Sequence, residues 1–267
     1  MQLHDKRVLI TGGSSGIGLA TAHQLLVKGA RVCITGRRQE PLDRAVEALR
    51  ATGGDVLGVV ADVGTHEGRG TTLVGAAAFG GLDILINNAG GVRAGRLEDT
   101  TEDEIRAMVE VDLLAPILLT RMAMPLLRAS GDGVVVNVAS GIALIGMPFY
   151  ATYAAAKAGL ARFGESLRRE FSGEGVHVMT VYPGATETPM MTTNRAGPEL
   201  GFMRESADDV AIALVQGLQS RDFEVVRGGE ARMAMVRINQ ETPAVLDERF
   251  QALKPALAEA VRDHSAL

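Results

Sequence analysis

Short apolar runs alternate along this chain with longer stretches in which apolar residues recur every three or four positions. A run that is apolar throughout is typical of a strand buried on both faces, whereas the wider spacing predicts an amphipathic helix. Seven strands are predicted, at Val8–Thr11, Ala30–Thr35, Val56–Ala61, Leu82–Asn87, Gly133–Ala139, Val176–Tyr182 and Phe223–Val226. Because strands and helices alternate, the pattern predicts an α/β fold with a parallel sheet that helices cover on both faces.

The helix predicted over 102–129 contains two prolines, Pro116 and Pro125. Proline has no N–H, so the carbonyl four residues before Pro116, that of Asp112, is left free to hold a water or another donor. The interruption favours a functional kink. A helix that simply bends around the core is the alternative.

Composition narrows the classes of protein that fit. The 267 residues are 46% hydrophobic, which allows a large core, and the net charge of −5 with no Lys/Arg-rich run disfavours nucleic-acid binding. The single cysteine, Cys33, excludes an internal disulfide, and its place in a predicted strand indicates a small buried hydrophobe. No apolar run reaches the roughly 18 residues of a membrane span, and no signal-peptide pattern opens the chain. We therefore expect a soluble, cytoplasmic protein.

The histidines give no sign of a metal site. Their spacing fits no set of metal ligands, and surface or strand positions are expected for all of them. They are His4, His23, His66, His177 and His264.

A glycine-rich turn, Thr11-Gly-Gly-Ser-Ser-Gly-Ile-Gly18, lies between the first strand and a helix that runs to about Lys28. The start of a helix offers free N–H groups and the positive end of its dipole, and glycines let a pyrophosphate approach the backbone. The pattern predicts a dinucleotide cradle in a doubly wound, Rossmann-type sheet. A plain tight turn is the alternative.

The end of the second strand bears on which dinucleotide is bound. Gly36-Arg37-Arg38 follows the strand, and no acid occurs before Glu40. An acid at this place binds the 2′-hydroxyl of NAD, whereas an arginine accommodates the 2′-phosphate of NADP. We therefore predict NADP (NADPH), with NAD less favoured. Two solvated loop arginines are the competing interpretation.

Two further strand ends face the same edge of the sheet. Asp62 follows the third strand and is compatible either with a hydrogen bond from the adenine amino group or with an ordinary helix cap. Asn88 follows the fourth strand, where its amide is able to brace neighbouring strand ends, and Ala89-Gly90 leaves room for a ligand ring.

A hydroxyl, a phenol and an ammonium come together after the fifth strand. Ser140 follows that strand, and Tyr153 and Lys157 lie one turn apart on a helix predicted to end near Phe171. A nearby ammonium favours phenolate, so we predict that Lys157 lowers the pKa of Tyr153 from about 10 and makes it a general acid/base. Of the other tyrosines, Tyr150 has no lysine one turn on, and it is expected to line a pocket or to pack.

The last quarter of the sequence carries less signal. Residues 190–203, within a region of about 188–205, are rich in methionine and predict a mobile flap over a pocket. A loop packed for structural reasons is the alternative. Residues 227–267 show no site chemistry, and we expect them to pack against the domain, with a subunit contact or a membrane-facing edge as the alternatives.

Taken in their fixed order, these motifs resemble the short-chain dehydrogenase/reductase family. The resemblance covers about residues 6–226 of a single domain spanning 1–267, and the chain is similar in finer detail to the bacterial DltE-like oxidoreductases. The motifs on which the resemblance rests are Thr11-Gly-Gly-Ser-Ser-Gly16-Ile-Gly18, Asn87-Asn88-Ala89-Gly90, Ser140, Tyr153-Ala-Ala-Ala-Lys157 and Pro183-Gly184.

The resemblance implies a role for each matching position. Tyr153 would exchange a proton with the substrate oxygen, Ser140 would hydrogen-bond that oxygen, and Lys157 would tune Tyr153 and hold the nicotinamide ribose. The implied cofactor-binding residues are Gly12, Ser14, Ser15, Gly16, Ile17, Gly18, Arg37, Arg38, Asp62, Val63, Asn88, Ala89, Gly90, Tyr153, Lys157, Pro183, Gly184, Thr186 and Thr188. The expected substrate residues are Ser140, Ile142, Leu144, Phe149, Tyr150, Met190 and Phe202, with Ile145, Met147 and Met191 nearby.

Asp112 departs from the family pattern, which usually has Asn there. The usual role is a proton relay through the main-chain carbonyl, and Pro116 leaves that carbonyl free whichever side chain is present. The charge of Asp112 is expected to strengthen the proton affinity of Lys157 and to alter the pH dependence. We therefore include Asp112 among the catalytic candidates.

The function expected from the resemblance is an NADP-dependent carbonyl reductase or alcohol dehydrogenase for a small-to-medium apolar substrate. The alternatives are an NAD-dependent alcohol dehydrogenase and a dinucleotide-binding regulatory protein without turnover. A methyltransferase would share the glycine turn but would leave Tyr153 and Lys157 unexplained. A homodimer or homotetramer is implied by resemblance alone.

Overall fold

Seven parallel strands form the central sheet of the computed structural model, which describes all 267 residues. The strands are β1 (Arg7–Ile10), β2 (Arg31–Gly36), β3 (Val56–Val60), β4 (Ile84–Asn87), β6 (Gly133–Val138), β7 (Val176–Tyr182) and β10 (Glu224–Val226). Their order across the sheet is β3-β2-β1-β4-β6-β7-β10, so successive strands are added in one direction up to β3 and in the other from β4, and the order reverses between β1 and β4. Ligands of such sheets bind beyond the carboxyl ends of the strands at the point of reversal. The predicted fold is confirmed.

Nine α-helices accompany the sheet. They are α1 (Gly16–Val27), α2 (Gln39–Arg50), α3 (His66–Ala78), α4 (Glu102–Val109), α5 (Ala115–Ala129), α6 (Ala151–Glu170), α7 (Ala207–Ser220), α8 (Gly229–Glu241) and α9 (Pro243–Val261). Two short antiparallel strands, β5 (Val92–Arg93) and β11 (Ser265–Ala266), pair with each other, and β8 (Ala185–Glu187) pairs with β9 (Arg204–Ser206). No helix is both long enough and apolar enough to cross a membrane.

Alternating side chains of the strands pack into two separate hydrophobic cores, one on each face of the sheet. Val8 and Ile10 of β1 lie with the buried faces of α1, α2 and α7, whereas Leu9 between them lies with α3, α5 and α6. This period of two on a sheet covered on both faces explains why Val8, Leu9 and Ile10 are apolar in succession.

The predicted long helix is in fact three segments. One turn of π-helix, Glu110–Leu114, separates α4 from α5, and the Ala115 N–H donates to the carbonyl of Glu110 five residues back. Pro116 lies in the first turn of α5, where a missing N–H costs little, and Pro125 stays inside α5. Single π turns inside helices are frequent at functional sites. Here the turn holds Asp112, which is fully buried.

Residues 227–267 pack against the domain. Leu257 and Val261 of α9 join a third core with Tyr150, Leu200 and Phe202. The Arg195 N–H donates to the carbonyl of Ala260 at 3.0 Å, which ties α9 to the segment predicted as a flap. The segment thus packs onto the domain, and Met190, Met191 and Phe202 from it also line the cleft described below.

Candidate active site

A cleft of about 560 Å³ opens at the carboxyl edge of the sheet. One half, here called the strand-end half, is formed by residues 12–17, 35–38, 61–65 and 88–91, which follow β1, β2, β3 and β4. The other, the outer half, is formed by residues 138–142, 147, 183–186, 188–191 and 201–202, with Arg232 of α8 and with His264 and Leu267, which flank the last strand. Tyr153 and Lys157 lie where the halves meet.

The glycine turn leaves donors free in the strand-end half. Ser15 caps α1 in an extended conformation without a side-chain hydrogen bond, and the amides of residues 16–18 find no acceptor in the protein. Gly12 has a φ of +64°, and a Cβ there would lie 2.9 Å from the Cα of Ala89. A concave backbone with free N–H groups at a helix start fits an anion such as a pyrophosphate.

Two side chains tie the ends of β1 and β4 together. Asn88 Nδ2 donates to the carbonyls of Thr11 and Gly12 at 2.9 and 3.1 Å, as its predicted bracing role requires. Thr11 Oγ1 accepts from the N–H groups of Asn88 and Ala89, each at 3.0 Å. A Cβ on Gly18 would collide with the carbonyl of Gly12. Gly18 therefore serves packing and is the one predicted cofactor residue that does not line the cleft.

The far end of the strand-end half carries two free positive charges. The guanidinium groups of Arg37 and Arg38 are exposed and make no hydrogen bond or ion pair, and the acid that follows them, Glu40, is paired with Arg44. Arg37 and Arg38 are thus available to an anionic ligand.

Asp62 also faces this end of the cleft. Its Oδ1 accepts from the N–H of Gly64 at 2.9 Å. The helix that follows is capped instead by Thr65, whose side chain accepts from the N–H of Gly68. The helix-cap interpretation of Asp62 is therefore wrong.

Tyr153 and Lys157 project from α6 toward Ser140 at the end of β6. Lys157 is only 4% exposed. Its Nζ donates to the carbonyl of Val138 at 3.1 Å, lies 3.1 Å from Asp112 Oδ1 and is 5.8 Å from the centre of the Tyr153 ring. Only glycine fits at position 90, because a Cβ on Gly90 would lie 2.5 Å from Asp112 Oδ1. The π turn, the β4 loop and α6 thus build a buried ion pair beneath the phenol.

Burial has the largest single effect on the pKa values of Tyr153 and Lys157. Loss of solvent raises the pKa of Tyr153 above its ordinary value, the charge of Asp112 raises it further, and Lys157 and the Ser140 hydroxyl act in the opposite direction. Lys157 does lower the pKa of Tyr153 as predicted, but the expected net lowering is wrong because burial outweighs the ammonium and the charge of Asp112 adds to the rise. For Lys157 itself, burial lowers the pKa, but the charges of Asp112 and Tyr153 together with the hydrogen bond to Asp112 outweigh burial, and the net shift is upward, as expected.

The outer half is mostly apolar. Ile142, Met190 and Phe202 line it as predicted, together with Tyr150. The Tyr150 hydroxyl accepts from Asn194 Nδ2 at 2.9 Å, and burial raises the pKa of this phenol.

Two predicted substrate residues do not line the cleft. Leu144 packs between two small core clusters, against neighbours such as Ala139 and Ile145. Phe149 adopts a left-handed φ of +71°, its carbonyl accepts from the N–H of Gly95, and its ring packs in the third core. Ile145 is also buried away from the cleft. The spacing of apolar residues could not show these turns of the loop after β6.

Three cleft residues come from the segment predicted to have no site chemistry, namely Arg232, His264 and Leu267. His264 is buried, contrary to its predicted surface or strand position, and lies 3.3 Å from Thr193 Oγ1. Burial lowers its pKa to about 4, so the ring is neutral near pH 7. The pairing of β11 with β5 brings this end of the chain to the cleft, and no local motif signals that pairing.

Comparison with known proteins identifies the family. Residues 6–199 match the family described as short chain dehydrogenase. The chain belongs to this family. An uncharacterized oxidoreductase of Thermotoga maritima is 35% identical over 199 residues, which are 74% of this chain and 79% of that protein. A ketoacyl reductase of a Nostoc strain is 33% identical over 84% of this chain and 79% of its own length.

Solved structures of short-chain dehydrogenases share the architecture. One from Burkholderia cenocepacia, in complex with NADP, has 34% identity and a TM-score of 0.77 over 85% of this chain and 97% of its own. A 3-ketoacyl-(acyl-carrier-protein) reductase from Brucella melitensis, complexed with NADH, has 28% identity and a TM-score of 0.78 over 85% and 98%. The protein is an NAD(P)-dependent oxidoreductase of the short-chain dehydrogenase family.

Proposed function

We propose that this short-chain dehydrogenase uses NADPH to reduce the carbonyl of a small-to-medium substrate, and catalyses the reverse oxidation of the secondary alcohol. The observation that carries the proposal is the group Ser140, Tyr153 and Lys157, which opens onto a cleft whose other half offers a helix start and free arginines. No other tyrosine of the chain has an ammonium beside it and an open face toward the cleft.

The strand-end half fits a dinucleotide phosphate. The free amides of residues 16–18 would hold the pyrophosphate, Arg37 and Arg38 would bind a 2′-phosphate, and Asp62 with Val63 would border the adenine. The nicotinamide end would lie against Pro183, Gly184, Thr186 and Thr188, all of which line the cleft. When bound, the cofactor supplies the hydride.

The protein's own part in the reaction is proton transfer and charge stabilisation. The Tyr153 phenol gives its proton to the substrate oxygen during reduction, and Ser140 hydrogen-bonds the same oxygen as negative charge develops on it. Because burial keeps the pKa of Tyr153 high, the phenol is protonated near pH 7, which suits an acid. Oxidation needs the phenolate and is therefore favoured as pH rises through the Tyr153 pKa.

Lys157 and Asp112 act behind the phenol. Lys157 stabilises the phenolate left after proton transfer, and Asp112 holds the ammonium in place. Return of the proton from solvent would run through the carbonyl of Asp112, which Pro116 leaves without an α-helical N–H donor.

The functional assembly is proposed to be a homodimer or homotetramer formed through the long helices of the interrupted α4–α5 segment and α6. Apolar side chains remain exposed there, with Leu114 at 40% and Val109 at 38%. Light scattering coupled to size exclusion tests this, and a monomer at micromolar concentration would contradict it.

The proposed activity is tested by following the oxidation of NADPH and of NADH with a panel of ketones and aldehydes and identifying the alcohols formed. Reduction that is faster with NADPH is expected. Tight NADPH binding without oxidation by any carbonyl compound would favour the regulatory alternative, and equal use of NADH would contradict the assigned role of Arg37 and Arg38.

A further inference from the structure

Arg232 reaches the cleft from α8, outside the part of the chain that matches the family. Its guanidinium lies between the two loops that follow β6 and β7. A Cβ on Gly141 would collide with Nη1, and a Cβ on Gly184 would lie 3.7 Å from Nη2. Gly141 directly follows Ser140, so the guanidinium is held beside the proposed reaction centre, in space that the absence of a side chain at Gly141 creates.

The guanidinium has no partner within the protein. It makes no hydrogen bond, and no carboxylate oxygen lies within 4.0 Å of it, although the side chain is half-buried. Glu205, the acid on its side of the cleft, is already engaged by Arg227 at 2.7 Å and by the N–H of Gly184 at 3.2 Å. None of its nitrogens is fully buried, so they are open to an acceptor in the cleft, and a guanidinium stays protonated and charged.

No ion pair forms with Arg232, and the carboxylate of Glu205 acts on its charge only from beyond ion-pair distance. The outer half is otherwise lined by neutral groups such as Met147, Met190 and His264. The other buried cation at the cleft, Lys157, is paired with Asp112. The free arginines Arg37 and Arg38 lie in the strand-end half, where the cofactor phosphates are assigned. A single unpaired cation among apolar side chains is suited to a ligand with an anionic head and an apolar body.

We propose that Arg232 binds an anionic group of the substrate, a carboxylate or a phosphate, so that the enzyme acts on anionic carbonyl compounds and their alcohols. This inference rests on the proposed function of the same site and names its substrate class. The planar fork of a guanidinium matches the two oxygens of a carboxylate or phosphate, which would fix the substrate's orientation with its carbonyl between Ser140 and Tyr153.

The test compares matched pairs of carbonyl compounds, 4-oxopentanoate against its methyl ester and dihydroxyacetone phosphate against dihydroxyacetone. The wild-type enzyme is expected to favour one or both anions in kcat/KM. In Arg232→Met, the anion-to-neutral ratio of kcat/KM is expected to fall about 100-fold, since hydrogen bonds between charged groups are lost. Preference for the carboxylate or for the phosphate distinguishes the two sources of the charge.

Two further variants test whether the effect depends on the position of the Arg232 guanidinium. Arg237→Met removes an exposed arginine of the same helix and is expected to leave the ratio unchanged. Gly141→Ala should displace the guanidinium, the flexible end of its side chain, and lower the ratio in the same direction. An equal loss for anionic and neutral substrates in Arg232→Met, or a wild-type preference for the neutral compounds, would overturn the proposal.

Calorimetry separates this proposal from the proposed activity. Binding of 4-hydroxypentanoate and of glycerol 3-phosphate to the enzyme–NADP complex is measured for wild type and Arg232→Met, with NADPH affinity as a check on the cofactor site. Loss of anion binding in the variant supports the role of Arg232 even if no carbonyl compound is reduced. Failure of the wild type to bind either anion overturns that role even if neutral carbonyl compounds are reduced.

Discussion

The strand-end half of the cleft is made by loops that each directly follow a strand, whereas the outer half is assembled from segments that meet only through the fold. In the first, the groups offered to a ligand are largely backbone amides and exposed arginines. In the second they are side chains of a loop after β6, a loop after β7, helix α8 and the segment that follows α9. The first arrangement suits a ligand of constant shape, and the second is free to vary with the substrate.

A buried ion pair stands at the boundary of the two halves. Asp112 and Lys157 connect the π turn to α6. Their charges also shift the pKa of Tyr153, the proposed general acid for the substrate in the outer half. Disturbing this boundary should affect the whole cleft, whereas changes within one half should leave the other intact.

The largest effect is expected from Lys157→Met at this boundary. Removal of the ammonium leaves Asp112 as an uncompensated buried charge, which should lower the free energy of unfolding by about 3–5 kcal/mol and abolish activity. Urea denaturation measures the loss. The loss should shrink as pH falls, because burial raises the pKa of Asp112 and a protonated carboxyl carries no charge.

The double variant Lys157→Met/Asp112→Asn is the control. It should regain much of the stability without regaining activity, since the uncompensated charge is gone but the ammonium is still absent. Equal stability of the single and double variants would show that the pair does not hold the boundary together.

Leu257→Ala is expected to disturb the outer half alone. The side chain is 1% exposed in the core that joins α9 to Tyr150 and Phe202, so truncation should cost about 2–5 kcal/mol and raise the KM for substrate several-fold. The NADPH dissociation constant should not change. Val245→Ala, at a 54% exposed position of the same helix, should stay within about 0.5 kcal/mol of wild type. Equal weakening of NADPH binding by Leu257→Ala would contradict the separation of the halves.

Arg37→Asp is expected to change only the strand-end half. An acid near the 2′-position repels a phosphate and accepts from a hydroxyl, so the ratio of NADPH to NADH affinity should fall about 100-fold, or about 3 kcal/mol. Fluorescence titration of both cofactors measures the ratio. Arg44→Asp makes the same charge change on the exposed face of α2 and should leave it unaltered. An unchanged ratio in Arg37→Asp would remove the basis for assigning NADP.

Asp112→Asn should give the smallest change in rate and a clear change in pH dependence. The charge of Asp112 raises the pKa of Tyr153, so its removal should move the rise of alcohol oxidation to lower pH. The maximal rate should change by less than about 10-fold, because the backbone carbonyl is retained. Asp103→Asn, an exposed change on α4, is the control. Identical profiles for all three proteins would count against the proposed influence of Asp112.

The same contrast explains how far the sequence could predict the site. Motifs at strand ends are local, so their spacing placed the cofactor candidates at one edge of the sheet, and all of them except Gly18 line the cleft. The seven strands and the interruption near Pro116 were predictable for the same reason, because each depends on a short run of residues.

The outer half depends on contacts between distant segments. Leu144 and Phe149 turn away from the cleft because the loop after β6 folds back on the core, and Arg232 and His264 arrive through the packing of α8 and the pairing of β11. The rise in the Tyr153 pKa was also missed, because one turn of helix reveals Lys157 but not the depth of burial or the opposing charge of Asp112. Gly228-Gly229 at the start of α8 and Arg232 three residues later were the local signals nearest to this part of the site.

The central claim is that Tyr153 donates the proton in a reaction whose cofactor is held elsewhere in the cleft. The most direct measurement is single-turnover oxidation of NADPH at saturating substrate in wild type and Tyr153→Phe, with NADPH affinity measured on the same samples. The account predicts a rate lower by about 10²–10⁴-fold in the variant with an unchanged NADPH dissociation constant. A variant rate within threefold of wild type would contradict the assignment of Tyr153 as the general acid.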